Sequence, residues 1–383
     1  LTFIRLPPRW KIRREFRRAS KKLGEKIRDM IGELYEPFFK YWHDWRRPSI
    51  INVSDGAIPL TEERVAVFLI YQPNGIPESV FKTCLYLARL GYSPLVVCNS
   101  PLSSADRTRL LEISWMCMIR PNYGYDFGGY RDAVWLLNKL NICPQFLLFL
   151  NDSIWFPIAS NAPILEEMES SLAEYVGTFE YDIGKRRRGV FRERLFYPSY
   201  LFMIKRRVFS SMEFQEFWKS YRVSSKKNKV IRRGEVGLSN MLISSGFKSE
   251  AIFPGKGFLD SLYGMDSQGL KEVLTYFVCR NQEASKVKQQ LMETYGKYHN
   301  WSKKCREFLI FNCRNNGFFH LLPVFSIEKL GVPYYKKLWI QEIISGQRMI
   351  LDAAHSGKFE NSIYDYVLKE MESNVVSANF ESF

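Results

Sequence analysis

From Arg64 onward, short β-branched runs alternate with runs of helical spacing, and this alternation restricts the fold more than any other property of the chain. RVAVFLIY (64–71) reads as a strand, PNGIP breaks it, ESVFKTCLYLARLG carries helical spacing, and SPLVVCNS (93–100) is a second strand. A helical stretch SADRTRLLEIS, a short strand WMCMIR, a helix RDAVWLLNKLN and a strand QFLLFL follow, the last ending in Asn151-Asp152-Ser153. Such β-α-β units predict an α/β fold with a mostly parallel sheet and helices on both faces. Ligands of these sheets bind at the carboxyl ends of strands, where two segments fall: the loop IRPNYGYDFGGYR (119–131) and the triplet NDS.

The loop contains Asn122, Gly124, Asp126, Gly128 and Gly129. Glycines let backbone approach a ligand or adopt positive φ, and the helix that follows offers amino-terminal NH groups to a phosphate. Asn122 and Asp126 can hydrogen-bond a sugar or a base. The same residues are also ordinary turn formers.

Together, the loop N-x-G and an apolar strand ending in an acidic triplet resemble the nucleotide-sugar half of GT-A glycosyltransferases. The sequence is more closely similar to the rhamnan synthesis protein F family of bacterial polysaccharide enzymes. The loop pattern N-x-G-x-D-x-G falls on Asn122, Gly124, Asp126 and Gly128, and the block NDS-x-x-x-P on Asn151, Asp152, Ser153 and Pro157. The resemblance runs from Arg64 to Gly246, with a weaker echo in LGVPYYKK (330–337).

The resemblance implies a GT-A-like, Rossmann-like sheet and an inverting glycosyltransferase. Such an enzyme would move a sugar, rhamnose for this family, from a nucleotide-sugar donor to a glycan or lipid-linked acceptor at the bacterial cell surface. Tyr71, Gln72, Asn99 and Ser100 would border the base and ribose, and Asp152 would face the ribose or a divalent metal, manganese or magnesium, on the diphosphate. Asn151 and Ser153 stand where Asp-x-Asp would supply carboxylates, leaving Asp152 as the one strong hard-metal ligand of the triplet. A cluster in KRRRGVFRER (185–194) is a candidate source of positive charge instead. An inverting transfer also needs a base for the acceptor hydroxyl. Glu235 is the candidate, read at the start of a helix after a break at Gly234, with Asp182 and Asp266 in reserve.

The formal charge is +15, and residues 1–50 hold 14 Lys and Arg against six Asp and Glu, a net +8. Ile12, Phe16, Leu23, Ile27, Met30, Ile31, Leu34 and Phe38 recur at helical spacing, with Arg and Lys filling much of the rest. This amphipathic helix can lie on an anionic membrane through residues 10–45, or pack on its own domain with a solvated basic face. No nucleic-acid-binding signature accompanies the charge, so nucleic acid is not expected as a partner. Seven scattered cysteines, four histidines and no Cys-x-x-Cys spacing argue for free thiols and against zinc. No run suits a membrane span or a secretory signal, so a cytoplasmic protein, peripheral at the inner membrane face, is expected. Motifs of serine hydrolases, P-loop NTPases and zincins are absent from the sequence.

The organisation expected is a basic helical segment (1–50), a linker (51–63), the GT-A-like domain (64–267) and a helical carboxyl-terminal section (268–383), loosely held after about Asn374. The aromatic stripe at 214, 217, 218 and 221 reads as core. An alternative function is a catalytically silent GT-A-like binding or scaffold protein of a polysaccharide assembly complex, suggested by the depleted acidic triplet.

Overall fold

A computed structural model describes residues 9–380 apart from 161, 183–184, 188–189, 193–194, 314–317 and 360–362; side chains at 182–194, 256, 259, 379–380 and at most positions from 9 to 33 also lie outside the description. The first part of the chain forms α1 (Arg9–Ile50), β1 (Asn52–Asp55), β2 (Arg64–Ile70), α2 (Glu78–Arg89), β3 (Ser93–Cys98), α3 (Ser104–Ile113), β4 (Met116–Ile119), α4 (Tyr125–Lys139) and β5 (Phe146–Asn151). Three further strands, β6 (Tyr175–Gly177), β7 (Leu201–Lys205) and β8 (Ser249–Ala251), complete a sheet in the order β1-β4-β3-β2-β5-β7-β6-β8. The pairs β2–β3, β3–β4, β2–β5 and β6–β8 are parallel. β1–β4, β5–β7 and β7–β6 are antiparallel.

The central strands β2, β3, β5 and β7 are apolar and buried at nearly every position because both faces of the sheet are covered there. On β2, Val65, Val67 and Leu69 join Phe127, Tyr130, Val134 and Leu137 of α4 in one core. Ala66, Phe68 and Ile70 join Val80, Phe81, Cys84 and Leu87 of α2 in the other. The aromatic stripe Phe214, Trp218 and Tyr221 is buried on the α4 side, with Trp218 stacked against Phe127. α4 lies so close to the sheet that a Cβ on Gly129 would come 2.1 Å from Leu69 Cδ1.

The chain adds β3 and β4 on one side of β2, then crosses to place β5 on the other. The crevice between the carboxyl ends of β2 and β5 is therefore the topological switch point, the usual ligand position in an open α/β sheet.

Residues 51–63, expected as a linker, instead supply the edge strand β1, paired with β4 from Asn52↔Ile119 to Asp55↔Met116. The end of α1 is fastened to the same body. Arg131 of α4 grips Asp44 with both terminal nitrogens, at 2.6 and 2.7 Å. Asp132 is shared by Arg47 and Arg120, at 3.0 and 2.6 Å. Buried Glu36 accepts from Ser224, Lys229 and Arg233. One face of residues 36–47, including Glu36, His43 and Arg47, thus packs on the domain, whereas most side chains of the basic stretch before them lie outside the description.

The carboxyl-terminal section is mainly helical and has cores of its own; one of them takes in Trp155 and Ile158 from the segment after β5. The tail expected to be loose after Asn374 continues as a helix, Asp365–Phe380. No helix among the described residues is long and apolar enough to cross a membrane.

Candidate functional site

Asp152 follows the last residue of β5, and its Oδ2 accepts from the Tyr71 backbone NH and the Gln72 side-chain amide, both at 2.8 Å. Tyr71 and Gln72 are the first residues beyond β2, so this carboxylate ties together the two strand ends at the switch point. Burial raises the Asp152 pKa, while the charge of Lys337 and the bonds from Tyr71 and Gln72 work in the opposite direction. The cleft above has a volume of about 930 Å³, with Tyr71, Gln72, Asp152, Ser153, Trp155 and Lys337 in its lining. That is room for a small-molecule ligand.

A second set of polar groups extends from the same triplet. Ser153 Oγ donates to Asn151 Oδ1 at 2.6 Å, and Asn151 Nδ2 donates to Asp126 Oδ2 at 2.9 Å. Ser199 Oγ lies 3.2 Å from that same Asp126 oxygen and 2.6 Å from Glu235 Oε1. A hydroxyl carries one hydrogen, so Ser199 can serve one of the two carboxylates at a time. Burial, followed by the like charge of Glu235, pushes the Asp126 pKa up to about 6. Burial also raises that of Glu235. Two acidic groups with a strong hold on a proton thus share one hydroxyl, the kind of pair from which acid–base chemistry is built.

The positive charge at this site comes from Lys336 and Lys337, near the carboxyl-terminal end of the chain. Tyr335–Lys336 pairs antiparallel with Ile154–Trp155, directly after the triplet. The Lys337 NH donates to the Ser153 carbonyl at 2.8 Å. The Lys337 ammonium donates to Ser79 Oγ at 2.7 Å, lies 3.9 Å from Glu370 and lines the cleft. Lys336 sits 4.6 Å from the centre of the Tyr200 ring. Burial lowers its pKa to about 8, against the attraction of Glu235 and Asp126. The echo in LGVPYYKK was visible, but its lysines are some 180 positions from the triplet and only the pairing brings them together. The side chains of KRRRGVFRER, the cluster expected to supply charge, lie outside the described residues.

Other anticipated residues have different surroundings. Asn99 is buried, accepts from Arg120 at 2.7 Å, and donates to the Tyr125 carbonyl at 3.4 Å, so its amide braces the loop. Ser100 is buried and accepts from the Gln72 NH at 3.2 Å. Asn122 is exposed. Gly124 has φ 84° and caps α4, followed by Tyr125 at φ 51°. Gly128 is required by the protein itself: a Cβ there would come 2.0 Å from the Tyr123 carbonyl oxygen.

Glu235 does not begin a helix after a break. Helical backbone runs from Lys227 through a π turn at Ile231–Glu235 into the helix Val236–Ser244. Gly234 serves close packing, since its Cβ would come 2.5 Å from the Phe127 ring. Of the reserve carboxylates, Asp266 caps the helix Ser267–Thr275 by accepting from the Gly269 NH at 2.8 Å. The Asp182 side chain lies outside the described residues.

Asp152 is the one carboxylate of the triplet, and much of the triplet's oxygen is engaged within the protein. One Asp152 oxygen already takes two donors, Asn151 spends its carbonyl on Ser153, and no group of three or more Asp, Glu, His or Cys that could hold an ion occurs among the described residues.

The model of the rhamnan synthesis protein F family matches residues 95–267, a stretch that includes both sequence motifs and Glu235. Over 354 residues the chain is 28% identical to an uncharacterized protein, y4gN, of Sinorhizobium fredii, covering 89% of this chain and 88% of that protein.

Proposed function

We propose that this protein is an inverting, GT-A-like glycosyltransferase of bacterial polysaccharide synthesis that takes its sugar from a nucleotide-activated donor. Rhamnose is the sugar indicated by the name of the matching family. The observation that carries the reading is the hydrogen-bonded series Ser153, Asn151, Asp126, Ser199 and Glu235, which leads from a cleft at the sheet's switch point to a proton-accepting carboxylate.

In this reading the acceptor hydroxyl attacks the anomeric carbon from the side opposite the nucleotide. The new carbon–oxygen bond forms as the bond to the diphosphate breaks, with the bonding electrons leaving on the nucleoside diphosphate. Glu235 takes the hydroxyl proton, a task suited to a carboxylate whose pKa burial has raised. Asp152 holds Tyr71 and Gln72 in place at the nucleotide side of the cleft. Lys337 and Lys336 face the negative charge that develops on the leaving group, the electrostatic work that a metal does in other transferases of this kind. No step is assigned to a metal.

Calorimetric titration with UDP, dTDP and GDP, with and without manganese, on the intact chain and on Asp152→Ala, tests the donor site. One nucleotide should bind tightly without manganese and weaken with Asp152→Ala. Absence of binding for all three would favour a scaffold role instead.

A further inference from the structure

We infer that α1 is a membrane-docking element whose outward aromatic face lies in the headgroup layer of an anionic bilayer. One face of its carboxyl-terminal end is occupied: Glu36, His43 and Arg47 are buried against the domain. The opposite face is bare. Leu34, Tyr35, Phe38, Tyr41, Trp42 and Trp45 recur at spacings of three and four, and Phe38, Tyr41 and Trp45 are 76%, 71% and 75% exposed. At 100° per residue these six positions fall within about 120° of one another and opposite the buried three. Contiguous exposed apolar surface of this kind marks an interaction site.

Chemistry selects the occupant. Tyr and Trp suit the boundary between acyl chains and headgroups, each having an apolar body and a polar tip. The apolar spacing continues toward the amino terminus in the sequence, through Ile31, Ile27 and Leu23, among Arg and Lys residues that give positions 1–50 a net +8. Basic residues beside an anionic surface each contribute about 1 kcal/mol. A second copy of this chain on the same face would oppose one +8 segment with another, so a lipid surface is the better complement. With no membrane-crossing helix among the described residues, the contact is a helix lying in the plane of the surface.

The test is co-sedimentation of the whole chain with vesicles of equimolar phosphatidylglycerol and phosphatidylcholine, compared with phosphatidylcholine alone. The chain should bind the anionic vesicles more tightly and lose that preference at high salt. The double variant Phe38→Ser with Trp45→Ser should lower the partition coefficient by about tenfold or more, with its thermal transition unchanged because both side chains are exposed. Failure of the intact chain to bind anionic vesicles, or equal binding by the double variant, would overturn the inference. So would a dimer without lipid that the double variant dissociates, which would show a second copy to be the occupant. None of these readouts involves sugar transfer.

Discussion

Asn151 Nδ2 donates to Asp126 Oδ2 over 2.9 Å, so the residue that closes β5 and the first-turn carboxylate of α4 act as one unit. The two sequence motifs, separated by a whole helix, meet in that bond. Ser199 extends it to Glu235 at 2.6 Å.

Replacing Glu235 by Gln keeps the side chain's shape and an acceptor for Ser199 but removes the base. Turnover should fall by about 10²- to 10⁴-fold while nucleotide binding and the thermal transition are retained. Near-normal transfer by the folded variant would place the base elsewhere.

Asp126 should make stability depend on pH in an unusual direction. Its pKa is pushed up to about 6 by burial and by Glu235, so the folded chain holds a proton there that the unfolded chain has released. Stability from this group therefore falls as pH rises from the ordinary carboxylate value of about 4 to about 6, then levels off. Asp126→Asn should be more stable than the parent at about pH 7, by about 1–2 kcal/mol after allowance for partial exposure, and the gain should shrink below about pH 5. Denaturant midpoints at the two pH values measure this.

Lys336 predicts the basic limb of the rate profile. Burial brings its pKa to about 8, and only the ammonium form can stabilise a departing diphosphate. Activity should drop above about pH 8, and Lys336→Arg should move that limb upward because guanidinium stays charged. Stability should run the other way: the folded chain gives up this proton more readily than the unfolded one, so it gains stability from about pH 8 to about 10. A limb that stays in place in the Arg variant would assign the titration to another group.

Much of this arrangement was legible because it is local. The β-α-β alternation from Arg64, the loop, and the triplet at the end of β5 each lie within a few dozen residues, and strand ends in such sheets have a known role. What escaped the reading depends on distant pairing. β1 looked like a linker because four residues of NVSD carry no apolar alternation; β4 gives them a partner. Lys336 and Lys337 reach the site through a two-residue bridge to Ile154–Trp155. Gly234 looked like a helix breaker, whereas it permits the close approach of Phe127. The charges on the buried face of α1 are indistinguishable in sequence from the rest of a basic helix, because Asp44 and Glu36 meet Arg131, Ser224 and Lys229 only in the folded chain.

That docking is itself testable. Burial opposes ionisation of Asp44, but His43, Arg131 and Lys40 together hold its pKa well below the usual carboxylate range. Arg131→Ala leaves Asp44 without its bidentate partner and should destabilise the fold by about 2–4 kcal/mol at neutral pH. The penalty should diminish in strong acid, since a depressed carboxylate contributes stability above its unfolded pKa and loses it as pH falls through the folded one. Urea unfolding across that range checks both the size and the trend.

The most direct measurement is release of nucleoside diphosphate from dTDP-, UDP- and GDP-activated sugars, in the presence of a glycan or lipid-linked acceptor and a metal chelator. Acceptor-dependent release from one donor is expected, undiminished by the chelator and lost in Glu235→Gln. Nucleotide binding without release from any donor, or release that requires added manganese, would contradict this expectation.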